Sequence, residues 1–165
     1  MRIGQAIDIH QLVENRDLIL GGVKIEHEKG LLGHSDADVL LHAIAEAIIG
    51  ALGLGDLGTH FPDTDEKYKG ISSMILLAEV EKLMVNHNYE IGNIDSTILI
   101  EEPKLVKYKE EMEKNIAEVL KCDVSQVNVK ATRGEKLGFV GEKKGVAALA
   151  TVVLKEREKV EYVHI

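Results

Sequence analysis

Hydrophobic and polar positions along the chain fall into blocks with the two periods of strand and helix. Arg2 to His10 alternates weakly at period two over its second half. Asp17 to Leu20 and Val23 to Ile25 read as a pair of β segments broken by the glycine turn Gly21-Gly22. Asp36 to Leu52 predicts a helix with Ser35 as its N-cap and Asp38 three residues further on, in a capping-box-like arrangement. Its residues Val39, Leu40, Leu41, Ala43, Ile44, Ala47, Ile48 and Ala51 make it apolar around most of its girth. Such a helix is buried, inside the domain or at a subunit contact. Gly53, Gly55 and Gly58 bring it to a stop.

A second helix is predicted over Ile71 to Asn86, with Ile71, Ile75, Leu77 and Ala78 on its apolar side, and a strand over Ile94 to Ile100. Pro103 reads as the N1 proline of a third helix, whose stripe is Leu105, Tyr108, Met112, Ile116 and Val119. Val127, Val129 and Ala131 alternate as a strand. Val146 to Leu154 is a continuous run rich in β-branched residues, which predicts a strand buried on both faces. Strands and helices mix, so a layered α+β or α/β domain is expected, a single one over 1–165.

Composition narrows the function classes. Twenty basic side chains against 28 acidic ones leave a net charge of −8, a field that repels polyphosphate backbones and disfavours nucleic-acid partners. The one cysteine, Cys122, forms no internal disulfide, which fits a reducing compartment. Apolar runs reach only about eight to ten residues, too short for a bilayer, and Met1-Arg2-Ile3-Gly4 does not open a signal peptide. A cytoplasmic chain without membrane partners is expected.

Four constellations offer chemistry. Asp8 and His10, at i and i+2 of an extended segment, leave the same face and form two ligands of a divalent-metal site, or a solvated edge-strand pair. His42 stands among aliphatic neighbours in the buried helix, where an imidazole needs a partner. Either Asp38 or Glu46, four residues away on the same face, bonds it as a core histidine, or it joins Asp8 and His10 as a third ligand. Three protein ligands and one open position are the pattern of catalytic zinc. Next, Gly33-His34-Ser35-Asp36-Ala37-Asp38 places His34 and Ser35 at a helix N-terminus, where amides attract anions, beside acids that are equally ordinary in a first turn. The acidic loop from Gly55 to Asp65 is solvated, or positions sugar hydroxyls or a hydrated magnesium ion. Last, Lys130 to Phe139 combines a hydroxyl, cations, Glu135 and glycines after a strand. It is a charged turn or a seat for a phosphate, with Arg133 or Lys136 as partners and Glu135 as metal ligand.

Taken in order along the chain, these strings resemble the 2-C-methyl-D-erythritol 2,4-cyclodiphosphate synthase family, over essentially its whole length. The carriers are Arg2-Ile3-Gly4, Asp8-Ile9-His10, Gly21-Gly22-Val23, Gly30-Leu31-Leu32 and His34 through Ala43. Downstream they continue with Gly55-Asp56-Leu57-Gly58, Phe61-Pro62-Asp63-Thr64-Asp65, Pro103-Lys104, Asn128 through Thr132 and Glu135-Lys136-Leu137-Gly138-Phe139. The resemblance implies an α+β fold with a mixed four-to-five-stranded sheet, helices on one face, and a homotrimer around a sheet-lined central cavity with active sites at subunit boundaries. It implies zinc held by Asp8, His10 and His42, and magnesium or manganese held by Glu135 with the substrate's diphosphate. The substrate would be 4-diphosphocytidyl-2-C-methyl-D-erythritol 2-phosphate, cyclised with release of CMP. His34 and Arg133 would stabilise the transition state. Asp56, Gly58, Phe61, Pro62, Asp63, Thr64 and Asp65 would hold the methylerythritol part, Asp56 and Asp63 bonding its hydroxyls, and Asp8, His10, His34, Ser35 and Leu57 would also bind the substrate. Ile100, Pro103, Lys104, Leu105, Val106 and Thr132 would take the cytidine diphosphate end, with Arg133, Gly134, Glu135 and Phe139 completing the substrate site.

The chain departs from the family pattern in places. Gln5 stands where histidine is usual, Arg133-Gly134 where threonine is expected at 133, and Glu142 where arginine is usual. An arginine at 133 still binds phosphate, so activity is expected with altered phosphate contacts. In the family, the arginine at 142 helps bind an isoprenoid diphosphate in the central cavity. Its reversal to Glu142 is expected to weaken that ligand unless Lys143 or Lys144 substitutes. Two rival readings stay open. One is a zinc-dependent phosphoesterase that activates water on the same ligands. The other is a non-catalytic trimeric binding protein, against which the intact Asp8, His10, His42 and Glu135 argue.

Overall fold

The N-terminal alternation becomes a long strand, β1 (Arg2–Glu14). Gly4, Ala6, Asp8, His10 and Leu12 face inward from it, while Ile3, Ile7 and Ile9 stay exposed. The structure, a computed structural model, describes residues 1–158; residues 159–165 of the expected single domain lie outside that range. After β1 come β2 (Leu18–Leu20) and β3 (Val23–Ile25), a hairpin closed by Gly21 and Gly22 at φ 59° and 72°. Two consecutive positive φ values at the centre of a two-residue loop make a type I′ turn, which only glycine and a few short polar residues enter readily. The next strand, β4 (Lys29–Leu31), lies along the end of β1 and has no sequence signal of its own.

The remaining elements are α1 (Val39–Leu52), the short α2 (Leu57–His60), α3 (Ser73–Asn86), β5 (Tyr89–Leu99), α4 (Lys109–Leu120), β6 (Val127–Thr132), the short α5 (Gly138–Gly141) and β7 (Gly145–Glu156). Single 3₁₀ turns span Glu66–Tyr68, Val106–Tyr108 and Val124–Gln126. The main sheet has five strands in the order β4-β1-β7-β5-β6. All its pairings are antiparallel except β5 with β6, so the sheet is mixed, and the fold is α+β.

α1 lies across the inner face of β1 and β7. Its approach to β1 depends on Gly4: a Cβ there would sit 1.8 Å from the carbonyl oxygen of Ala47. Ala43, Ala47 and Ala51 keep that contact thin from the helix side, and the helix is buried along almost its whole length, as its apolar girth requires.

Four sequence expectations are corrected. α1 begins at Val39 with Asp38 as N-cap, not at Asp36 behind Ser35, because the Asp38 carboxylate is already fixed from outside the helix. It accepts the N–H groups of Gly21 (3.0 Å), Gly22 (2.8 Å) and Leu41 (3.1 Å), joining the hairpin turn to the helix start. α3 begins two residues after Ile71, where Ser72 caps it. Pro103 does not open a helix. Ile100 donates to the Thr132 carbonyl (3.0 Å) and Glu101 accepts the Gly134 N–H (2.9 Å), which ties this stretch to the loop after β6 until the 3₁₀ turn at Val106. Within one chain β7 is fully covered on one face and only in part on the other, where Ala147 is buried. Val146, Ala148, Ala150, Val152 and Leu154 are buried, whereas Thr151 is exposed and Leu149 and Val153 are half-buried on the side of Ile3, Ile7 and Ile9.

Asp38 supports a stability prediction. Burial pushes its carboxyl up to about 6, against the backbone N–H bonds that favour the anion. Asp38→Ala strands the donors of the turn and the helix start, and is expected to lower unfolding free energy by about 2–4 kcal/mol in urea titrations. A folded-state value above the unfolded one means that Asp38 stabilises most below about pH 4 and less as pH rises through about 6. The loss on substitution is therefore larger at pH 5 than at pH 8.

Candidate metal centre and a separate groove

Asp8 and His10 stand two residues apart on the inward face of β1, and α1 crosses that face with His42 one turn in from its N-terminus. The strand and helix bring Asp8 Oδ2, His10 Nε2 and His42 Nδ1 into a triangle with edges of 3.0, 3.1 and 3.3 Å. Among the described residues this is the one group of three metal-ligating side chains that converges.

The surroundings decide which lone pairs face inward. His10 Nδ1 donates to the carbonyl of Leu32 at 2.7 Å, which turns Nε2 toward the cluster. His42 Nε2 lies 2.9 Å from Ser73 Oγ and 3.2 Å from Ser35 Oγ, which turns Nδ1 toward the same point. Asp38 and Glu46 do not bond His42, contrary to the core-histidine alternative: Asp38 serves the turn, and Glu46 accepts the Leu57 N–H at 3.3 Å. Burial works against charge on Asp8, but hydrogen bonds from His10 and His42 outweigh it and hold the carboxyl well below the usual range. On His10, burial again opposes charge, while Asp8 and the Leu32 carbonyl raise its pKa.

A divalent metal fits this donor set. Ligand atoms about 2.0–2.2 Å from a tetrahedral ion lie about 3.3–3.6 Å from one another, so the observed edges need to open by only a few tenths of an ångström. Two neutral imidazole nitrogens and a carboxylate oxygen suit zinc better than the harder magnesium.

A cavity of about 310 Å³ opens beside the cluster, lined in part by His10, His34, Ser35, His42, Leu57, Phe61 and Asp63. His34 Nε2 is 3.3 Å from the Asp65 carbonyl. The sequence did not single out Tyr68, Ile71 and Leu76, which complete this wall. Asp56 faces its own helix instead, accepting the N–H (2.9 Å) and hydroxyl (2.7 Å) of Thr59. Gly58, Pro62, Thr64 and Asp65 stay on the same loop without lining the cavity.

A second groove, about 320 Å³, lies at the C-terminal ends of the parallel strands β5 and β6. Ile100, Pro103, Lys104, Leu105, Val106, Thr132, Arg133 and Glu135 line it, together with Glu101 and Ala131 from the same two stretches. The ends of parallel strands are where α/β sheets commonly take ligands. Glu135 is exposed there, 3.7 Å from Arg133, and is not part of the Asp8–His10–His42 cluster. Phe139 packs beside Gly145, outside both cavities. No residue lines both cavities, so His34 and Arg133 belong to different ones within a chain. Lys143 pairs with Glu102 (2.9 Å) and Lys144 with Glu142, both at the surface.

The chain matches the YgbB family model over residues 1–155. The chain belongs to the YgbB family. It is 60% identical over 152 residues to the 2-C-methyl-D-erythritol 2,4-cyclodiphosphate synthase of Alkaliphilus metalliredigens, covering 92% of this chain and 96% of that protein. To the enzyme of the same name from Bacillus subtilis it is 57% identical over 155 residues, with 94% and 98% covered. Among solved structures, the IspF–CDP complex of Plasmodium falciparum superimposes with a TM-score of 0.83 at 40% identity, covering 95% of this chain and 97% of that one. The bifunctional IspDF of Campylobacter jejuni gives a TM-score of 0.92 at 45% identity, and there the match takes up 42% of the larger protein. No helix among the described residues is long and apolar enough to cross a membrane.

Proposed function

We propose that the chain converts 4-diphosphocytidyl-2-C-methyl-D-erythritol 2-phosphate to 2-C-methyl-D-erythritol 2,4-cyclodiphosphate and CMP, in the cytoplasm, as a step of non-mevalonate isoprenoid synthesis. The observation that carries this reading is the convergence of Asp8, His10 and His42 beside a cavity, in a chain that belongs to the YgbB family. An oxygen of the 2-phosphate forms a bond to the β-phosphorus. The bond from that phosphorus to the bridging oxygen breaks, and CMP leaves with that oxygen. No water enters the balance.

Such a reaction asks a protein for alignment and charge neutralisation rather than covalent help. Asp8, His10 and His42 would hold zinc, and Glu135, with the substrate's diphosphate, magnesium or manganese. When bound, the ions supply charge neutralisation at the phosphates. The chain's own groups do the positioning. Asp63 and the loop from Asp56 to Asp65 take the methylerythritol hydroxyls, with Phe61 and Leu57 giving an apolar wall. The Ile100–Val106 stretch and Thr132 hold the cytidine diphosphate end, mostly through backbone groups. His34 and the Arg133 guanidinium donate to phosphate oxygens as charge develops.

His34 and Arg133 line separate cavities of one chain, so a complete site needs a second copy. Ile3, Ile7 and Ile9, 64%, 54% and 52% exposed, form with Leu149 and Val153 an apolar stripe on the open face of the sheet. We assign this face to the interior of a homotrimer whose sheets line a central cavity and whose active sites lie at subunit boundaries. Product analysis tests the reaction: CMP with a cyclic diphosphate is expected, whereas a linear bisphosphate identifies a hydrolase and no turnover a binding protein.

A further inference from the structure

We propose that Ser73 and Asp36 are positioning residues that set the tautomer of His42, so that its Nδ1 is available to a divalent ion. This deepens the metal-centre reading and rests on it. Ser73, the first residue of α3, is fully buried, with its Oγ 2.9 Å from His42 Nε2. The hydroxyl donates to Asp36 Oδ1, and Asp36 Oδ2 accepts the Ser73 N–H at 2.9 Å.

A hydroxyl has a single proton. A carboxylate only accepts, so that proton is committed to Asp36, and Ser73 can meet His42 only as an acceptor. His42 must then carry its proton on Nε2 and offer Nδ1 as a lone pair toward Asp8 and His10. Without Asp36 the hydroxyl is free to rotate and donate to Nε2. That favours the Nδ1–H tautomer, whose proton occupies the direction a metal needs. Ser35 does not enforce this choice: accepting from Ala37 (3.1 Å) leaves its own proton uncommitted, so at 3.2 Å it can meet His42 Nε2 as donor or as acceptor. Asp36 itself is fixed: its N–H bonds the Ile71 carbonyl at 3.1 Å, and its Oδ1 accepts the Asp38 N–H at 3.1 Å. The device therefore runs from a turn before α1, through the start of α3, to a ring in α1.

The test is zinc affinity of the full-length protein, measured by competition with a chromophoric chelator, for Ser73→Ala, Asp36→Asn, Ser72→Ala and His42→Ala. Outer groups of this kind commonly carry about 10–100-fold in metal affinity. Ser73→Ala and Asp36→Asn are each expected to weaken zinc by about that factor and to shift the visible bands of the cobalt-substituted protein. Ser72→Ala is the control. It removes the N-cap of the same helix, whose Oγ accepts the Met74 N–H at 3.3 Å, without touching His42, and zinc affinity should hold. Equal losses for Ser72→Ala and Ser73→Ala would assign the effect to a loosened helix and overturn the proposal. So would unchanged affinity and cobalt spectrum in both Ser73→Ala and Asp36→Asn. If His42→Ala itself binds zinc as the unaltered protein does, the metal-centre reading fails instead.

Discussion

His42→Ala purifies without zinc and without turnover. The unaltered chain is expected to carry about one zinc ion per chain by elemental analysis, and its variant close to none, with activity lower by on the order of a thousandfold. The size follows from the geometry. Removing one side of a triangle with 3.0–3.3 Å edges leaves Asp8 and His10 alone, a two-ligand pair that holds zinc poorly. The fold should survive, because the ring is at the edge of the core and its side chain is 11% exposed. Alanine is a good helix former and leaves α1 intact. Thermal unfolding of the metal-free proteins should separate the two effects: similar midpoints with absent metal place the loss in the site. A variant that keeps its zinc would show that His42 is a core histidine, and the assignment of the centre would fall with it.

The parts of this centre were legible in the sequence to different degrees. Asp8 and His10 share a face at any strand register, since period two is a local property of the backbone. The burial of α1 was equally plain from Val39 to Ala51, because no other helix among the described residues is apolar on so many sides. Convergence was not legible. It depends on α1 lying close enough to β1, which Gly4 permits by having no Cβ against the Ala47 carbonyl. The start of α1 was misplaced because Ser35 and Asp38 both suit an N-cap. The choice between them is made by Gly21 and Gly22 in a distant hairpin. Ser73 gave no signal at all, since its partner His42 is 31 residues away on another helix. The reading of β7 as covered on both faces is a different case. Its composition is two-sided, yet within a single chain the side of Leu149, Thr151 and Val153 is covered only in part, and this is the side that the proposed trimer would cover.

The proposed trimer makes a sharp prediction. The metal cavity and the groove at the ends of β5 and β6 share no lining residue. If each active site combines the cavity of one subunit with the groove of the next, then His42→Ala disables one half of a site and Glu135→Ala the other. Each variant alone is expected to be inactive in every site. Chains of the two variants co-expressed in equal amounts, with different tags so that mixed assemblies can be isolated, assort at random. A boundary is then intact wherever the metal cavity comes from the Glu135→Ala chain and the groove from the His42→Ala chain. In every mixed trimer, two chains of one variant and one of the other, one boundary of the three meets both conditions, so activity in the doubly tagged fraction returns to about a third of the unaltered level. A site built within one chain cannot be rescued this way, because no chain in the mixture has both halves. Recovery of activity in the doubly tagged fraction would therefore place the reaction between subunits, whereas mixed assemblies as inactive as their parents would confine it to one chain.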